Sequence, residues 1–198
     1  FGGVSRDAEA DVESYWQSRV IEGVRRRIGW LLMLFLAGMI TRYVVHAFHW
    51  VKGELPNIEF DAFIPLLIGT GGNAGSQTVG TIIRGLALGE IQRGDTFRVV
   101  LKEMLTGLLL GVLLGTLGFF ITWKVFGHEP GFGAVIGLAV LGICVWANVI
   151  GALVPLMAGR FNIDPALVSA PLISTLVDAT GLCIFYSITI LLLLWLRL

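Results

Sequence analysis

Between Ile28 and Leu196 the chain consists of apolar runs long enough to cross a membrane, and this limits what it can fold into. Five runs separate, at about Ile28–Trp50, Asp61–Leu88, Leu101–Phe126, Phe132–Ala158 and Pro165–Leu196. An α-helix rises about 1.5 Å per residue, so each can traverse a hydrocarbon core of ~30 Å. Only 14% of the 198 residues are charged and 56% are hydrophobic, against roughly 25% charged in soluble domains. A soluble core of this length cannot bury so much apolar surface. The expectation is an all-α, multi-pass membrane protein with five transmembrane helices per chain, solvated by lipid. The formal net charge of zero gives no ground for a nucleic-acid partner.

The second run breaks the apolar pattern. Pro65-Leu-Leu-Ile-Gly-Thr-Gly-Gly-Asn-Ala-Gly-Ser-Gln-Thr78 is crowded with glycine and small polar residues. Polar or irregular backbone at membrane depth persists only against protein or a water-filled path. At 100° per residue, Gly69, Asn73, Ser76, Gln77, Gly80 and Arg84 share one helix face. The segment resembles a phosphate-binding loop only superficially, because no Lys precedes its Ser or Thr.

One acid lies deep in an apolar run. Asp178 is 13 positions beyond Pro165, roughly 20 Å along a helix. A central Asp costs about 2.5–3.5 kcal/mol on insertion scales, so such a residue is functional by default. The alternative is an Asp capped by a neighbouring helix. Pro171, Ser174, Thr175, Asp178, Gly181, Phe185 and Thr189 fall on its face. Asn73 and Asp178 reach similar depth from opposite directions, which predicts a shared site or pore. Pro65 and Pro171 precede the two polar groups, as in the paired, interrupted helices of transport sites.

The remaining polar and small residues have plainer readings. Gly107, Gly111 and Gly115, with Gly133 and Gly137, form small-residue stripes for close helix contact. Asn148 reads as an interhelical hydrogen bond. Cys144 and Cys183 read as small buried hydrophobes. His46 and His49 are either interfacial residues beside Trp50 or ligands for a softer metal.

A carboxylate among neutral oxygen donors, without nearby Cys or His, favours a hard cation. Magnesium dehydrates reluctantly and can be held through its waters. Two copies of Asp178 facing each other across a symmetry axis suit a divalent ion. Inward movement of a divalent ion gains about 4.6 kcal/mol at ~100 mV, so uptake needs no ATP. No catalytic residues are assigned. An exchanger of a divalent cation against protons or sodium is the alternative to a channel.

Orientation follows Lys and Arg. With five spans, ten of the 14 basic residues fall on the N-terminal side and four (Arg42, Lys52, Lys124 and Arg197) on the other. The N-terminus is therefore expected in the cytoplasm and the C-terminus outside, across a plasma membrane (the bacterial inner membrane). Glu54, Glu59, Asp61 and Glu129 would lie at the outer mouth. Residues 1–27 read as a cytoplasmic connecting helix, acids first and Arg25, Arg26 and Arg27 last. Residues 28–198 read as a transmembrane channel domain. The chain opens on Phe1, which reads as a fragment of a longer protein.

Several motifs together resemble the membrane domain of the MgtE family of magnesium channels, related to vertebrate solute-carrier magnesium transporters. They are Leu67-Ile-Gly-Thr-Gly-Gly-Asn-Ala-Gly-Ser-Gln77, Ile82-Ile-Arg-Gly-Leu-Ala87, Leu101-Lys-Glu-Met104, Asn148 to Pro155, Asp164-Pro-Ala-Leu-Val-Ser169 and Asp178-Ala-Thr-Gly-Leu182. The resemblance covers about Arg25 to Leu196. It implies a homodimer with the pore on the dimer axis, lined mainly by the second and fifth transmembrane helices. It implies that Asp178 recognises hydrated Mg2+, that the second-helix motif falls on Gly69, Gly72, Asn73 and Ser76, and that Asp164 lies near the inner mouth. Ser174 would join the ion site. Gln77, Gly80, Arg84, Pro171, Thr175 and Gly181 would line the pore. Some members carry Asn at the positions of Ser76 and Ala170. Many carry cytoplasmic CBS-type regulatory domains, which a full-length protein would add to this chain.

Overall fold

The computed structural model describes residues 19–54, 60–161 and 170–196. All regular structure among them is helical. The helices are α1 (Val20–Ala47), α2 (His49–Glu54), α3 (Phe60–Ala87), α4 (Thr96–Phe120), α5 (Pro130–Arg160) and α6 (Ala170–Leu196). A 3-10 turn at Arg93–Asp95 leads into α4, and a π turn at Ile121–Val125 prolongs it. The chain divides into two compact units between Leu36 and Ala37. Helix α1 runs unbroken past residue 27.

Four segments are long and apolar enough to cross a membrane: Val20–Val51, Thr96–Val125, Pro130–Arg160 and Ala170–Leu192. Helix α3 is the exception among the five expected spans. Its 28 residues are sufficient in length, at about 42 Å. Its Gly, Thr, Asn, Ser and Gln residues leave it without an 18-residue stretch as apolar as those of the other four.

Within the unit from Ala37, α5 is the central helix and packs against α3, α4 and α6. The α4–α5 seam is made by glycine. A Cβ on Gly107 would lie 2.8 Å from the Cys144 carbonyl oxygen, and one on Gly111 2.9 Å from the Leu141 oxygen. One on Gly115 would collide with the Gly137 carbonyl oxygen. This is the close approach expected of a small-residue stripe between membrane helices. At one end of the bundle Phe60, Phe63, Phe132, Phe185 and Tyr186 form an aromatic core. Phe48 stacks on Tyr186 at 4.9 Å between centroids. Toward the other end lie Arg84, Arg98, Lys102 and Arg160.

Pro65 does not interrupt its helix as expected: α3 continues from Phe60 through Pro65 to Ala87. Pro171 is the second residue of α6, and the stretch before α6, 162–169, lies outside the described residues. Reversals fall instead at Gly89 (φ 71°) and Gly127 (φ 73°), in a region that L side chains rarely enter.

Candidate functional site

The site is set by how α3 meets α6. The two helices are antiparallel: Ser76 lies at Ala170, Gly75 at Ile173, Gly71 at Val177, and Phe60 at Phe185. Gly71 and Gly75 are turned into the protein. Added Cβ atoms would lie 2.6 Å from Ile143 and 3.0 Å from Ile173 respectively. Glycine at these positions lets α3 sit in the groove between α5 and α6. The sequence reading missed this pair, although their four-residue spacing is the same signal that identified Gly107, Gly111 and Gly115.

Hydrogen bonds hold α3 in register. The Thr78 hydroxyl donates to Asn148 Oδ1 at 2.8 Å, and Asn148 Nδ2 donates to the Cys144 carbonyl at 2.8 Å. This is the interhelical bond expected of Asn148. Gly151 approaches so closely that its Cβ would lie 2.7 Å from the Gly75 carbonyl oxygen. Both Thr78 and Asn148 are buried.

The opposite face of α3 is open. Gly69, Asn73, Gln77, Gly80 and Arg84 are all exposed, and nothing lies within 4 Å of a Cβ built on Gly69 or Gly80. Ser76 is half-buried at the edge of this stripe and donates to the Ala170 carbonyl at 3.3 Å. Its hydroxyl is therefore committed to closing α3 onto the start of α6.

Gly72 lies between the two faces and is the point of contact with the acid. A Cβ there would be 2.5 Å from Ser174 Oγ and 3.4 Å from Asp178 Oδ1. Gly72, Ser174 and Asp178 are thus brought together, with Asn73 the next residue on the open side. Asp178 is half-buried, and its Oδ1 is buried without a hydrogen-bond partner. It lies 8 residues into α6, about 12 Å from the helix start. Gly72 is 12 residues from Phe60 and 15 from Ala87, near the middle of α3.

Thr175 donates to the Pro171 carbonyl at 2.9 Å and Pro171 is exposed, so both stay at the open edge. Gly181 does not share this edge. It is buried, with Ile143 of α5 3.5 Å from where its Cβ would be. Phe185 and Thr189, expected on the same face, are buried as well. The polar face of α6 therefore ends near Asp178, because α5 covers the helix beyond it. Asp164 lies outside the described residues.

An unpaired buried carboxylate is costly, and protein normally provides a donor or a cation. Here the neighbouring groups are a glycine and a serine hydroxyl. Among the described residues no three His, Cys, Asp or Glu side chains gather to grip a bare metal ion. One carboxylate with an amide and a hydroxyl nearby fits an ion that keeps most of its water, which is the habit of magnesium.

Comparison with known proteins agrees with this chemistry. A family model, MgtE, described as a divalent cation transporter, matches residues 64–188. A protein named magnesium transporter MgtE from Thermus thermophilus is 43% identical over 84% of this chain and 36% of its own length. Proteins of the same name from Enterococcus faecalis and Bacillus subtilis are 34% and 25% identical, over 91% and 93% of this chain and 39% and 42% of their own lengths. The chain thus spans well under half the length of these curated relatives.

Proposed function

The chain belongs to the MgtE family of divalent cation transporters, and we propose that it carries magnesium across a membrane along the open face of α3, with Asp178 as the ion-recognising charge. The observation that carries this reading is the buried Oδ1 of Asp178, unpartnered and in reach of Gly72 on the polar helix. An anion left without a protein cation attracts one from solution, and the adjoining stripe offers a wet route to it.

In the finer reading the ion is substrate and stays hydrated. Asn73, Ser174 and the backbone about Gly69 and Gly72 contact its water shell, and Ser76, Gln77, Gly80, Pro171 and Thr175 border the route. Arg84 lies 12 residues beyond Gly72, about 18 Å along the helix. Its charge sits at the mouth instead of at the site. Helix α3 is the second of five spans and brings the four apolar ones to five, sheltered from lipid by a second copy whose own α3 and α6 face it across a two-fold axis. The bias of Lys and Arg supports a cytoplasmic N-terminus in a plasma membrane. Residues 1–27 then connect to a regulatory region of the CBS type.

A channel is favoured because the membrane voltage alone drives a divalent cation inward, by about 4.6 kcal/mol at ~100 mV, with no coupled ion required. The test is magnesium flux into proteoliposomes with no proton or sodium gradient. Flux should follow the magnesium gradient and the voltage, and Asp178→Asn should reduce it at least about 100-fold, or ~2.7 kcal/mol, while leaving the dimer intact. Strict dependence on a counter-ion gradient would replace the channel by an exchanger, and undiminished flux in Asp178→Asn would remove the assignment of the site.

A further inference from the structure

A cavity lies away from Asp178, in the cleft between α3 and α4 near the aromatic end. Its volume is about 680 Å³. Leu66 of α3 and Leu117 and Gly118 of α4 form its walls, Val140 of α5 lies at its floor, and His128 stands at its rim. One further lining residue, Thr122, departs from the pattern of its kind. Thr70, Thr81, Thr106, Thr175, Thr180 and Thr189 each donate to the carbonyl four residues earlier. Thr122 does not: it is 1% exposed and its hydroxyl has no partner. The cause is local. Thr122 sits in the π turn, whose wider ring moves the carbonyls out of register, and such turns are frequent at functional sites.

We propose that this cleft is a lipid site, taking one acyl chain of a glycerophospholipid with the ester group at the depth of Thr122, whose hydroxyl donates to the ester carbonyl. The surface next to the cleft, outside its lining residues, suits the rest of the molecule. Lys124 is exposed, with Nζ 3.5 Å from the centre of the Trp123 ring, and the His128 backbone N–H is tied to the Thr122 carbonyl at 3.2 Å. Trp beside Lys marks the membrane–water boundary, where phosphate groups lie. An acyl chain is flexible enough to follow such a cleft along its length, and a helix from a second copy is the competing occupant. The inference rests on the membrane helices and not on the identity of the ion.

The test is lipid retention by the full chain, delipidated in detergent, titrated with dioleoylphosphatidylglycerol and observed by native mass spectrometry. One lipid per chain should bind above the diffuse background. Leu117→Trp, at a position 55% exposed, should weaken it about tenfold by filling the cleft. Thr122→Val should weaken it about fivefold and Thr122→Ser should restore it. Leu113→Trp, 69% exposed and outside the cleft, should change nothing. Equal retention in the wild type and Leu117→Trp overturns the proposal, as does an equal loss in Leu113→Trp. Efficient cross-linking of Leu117→Cys between two chains in a bilayer also overturns it and gives the cleft to a second copy.

Discussion

Where α4 meets α5, Gly107, Gly111 and Gly115 bring backbone onto backbone, and the Gly115 and Gly137 carbonyls leave no room for a Cβ. Where α3 meets α6, Gly72 faces a serine hydroxyl and a carboxylate instead. The residue type is the same and the result is opposite. On the first seam, lost side chains become van der Waals contact, the main source of helix association in lipid. On the second, the missing side chain leaves space beside a charge. The difference comes from the partner: α5 presents its own glycines and backbone, whereas α6 presents Ser174 and Asp178.

The comparison can be broken by giving each seam a side chain. Gly115→Val should have the largest effect, costing about 3 kcal/mol or more because backbone must move. Thermal unfolding in detergent would show it, and an unchanged melting temperature would mean that the α4–α5 seam is looser than described. Gly72→Ala should act on transport first. Its Cβ would press on Ser174 Oγ and Asp178 Oδ1, so magnesium flux should fall about tenfold, or ~1.4 kcal/mol, with a smaller loss of stability. A fall in stability equal to that of Gly115→Val would erase the distinction between the seams.

Asn148→Leu removes the acceptor for Thr78 and leaves a buried hydroxyl unpaired. Membrane hydrogen bonds average about 0.6 kcal/mol, so a loss of ~1 kcal/mol is expected. The paired change Thr78→Val with Asn148→Leu should recover part of it if the bond is the cause. Gly80→Ala should be the mildest, within about 0.5 kcal/mol, since nothing lies within 4 Å of the new methyl. A large effect measured in the assembled protein would show that a partner approaches α3 there.

Much of this was legible in the sequence. Run length and apolarity marked α4, α5 and α6, and helical periodicity gathered Gly69, Asn73, Gln77, Gly80 and Arg84 on one face. All five are exposed together. Burial cost singled out Asp178. What periodicity could not give was the neighbour of each face. Gly181 lies on the Asp178 side by angle, yet Ile143 covers it, because α5 crosses α6 above the site. For the same reason Gly71 and Gly75 were not separated from Gly69 and Gly72: one glycine-rich run serves two faces, and only the packing of α5 and α6 assigns them. The π turn at Ile121–Val125 had no apolar or polar signature at all.

The polarity of α3 bears on how the chain is made. A helix too polar to enter lipid alone has to wait for the groups that satisfy it. Thr78 meets Asn148 only after 70 further residues have been synthesised, and Ser76 meets Ala170 after 94. On the reading that α3 crosses the bilayer, it cannot be released into lipid as it leaves the translocon. It has to be held there until α5 and α6 arrive, so the order of translation becomes part of how this membrane domain folds.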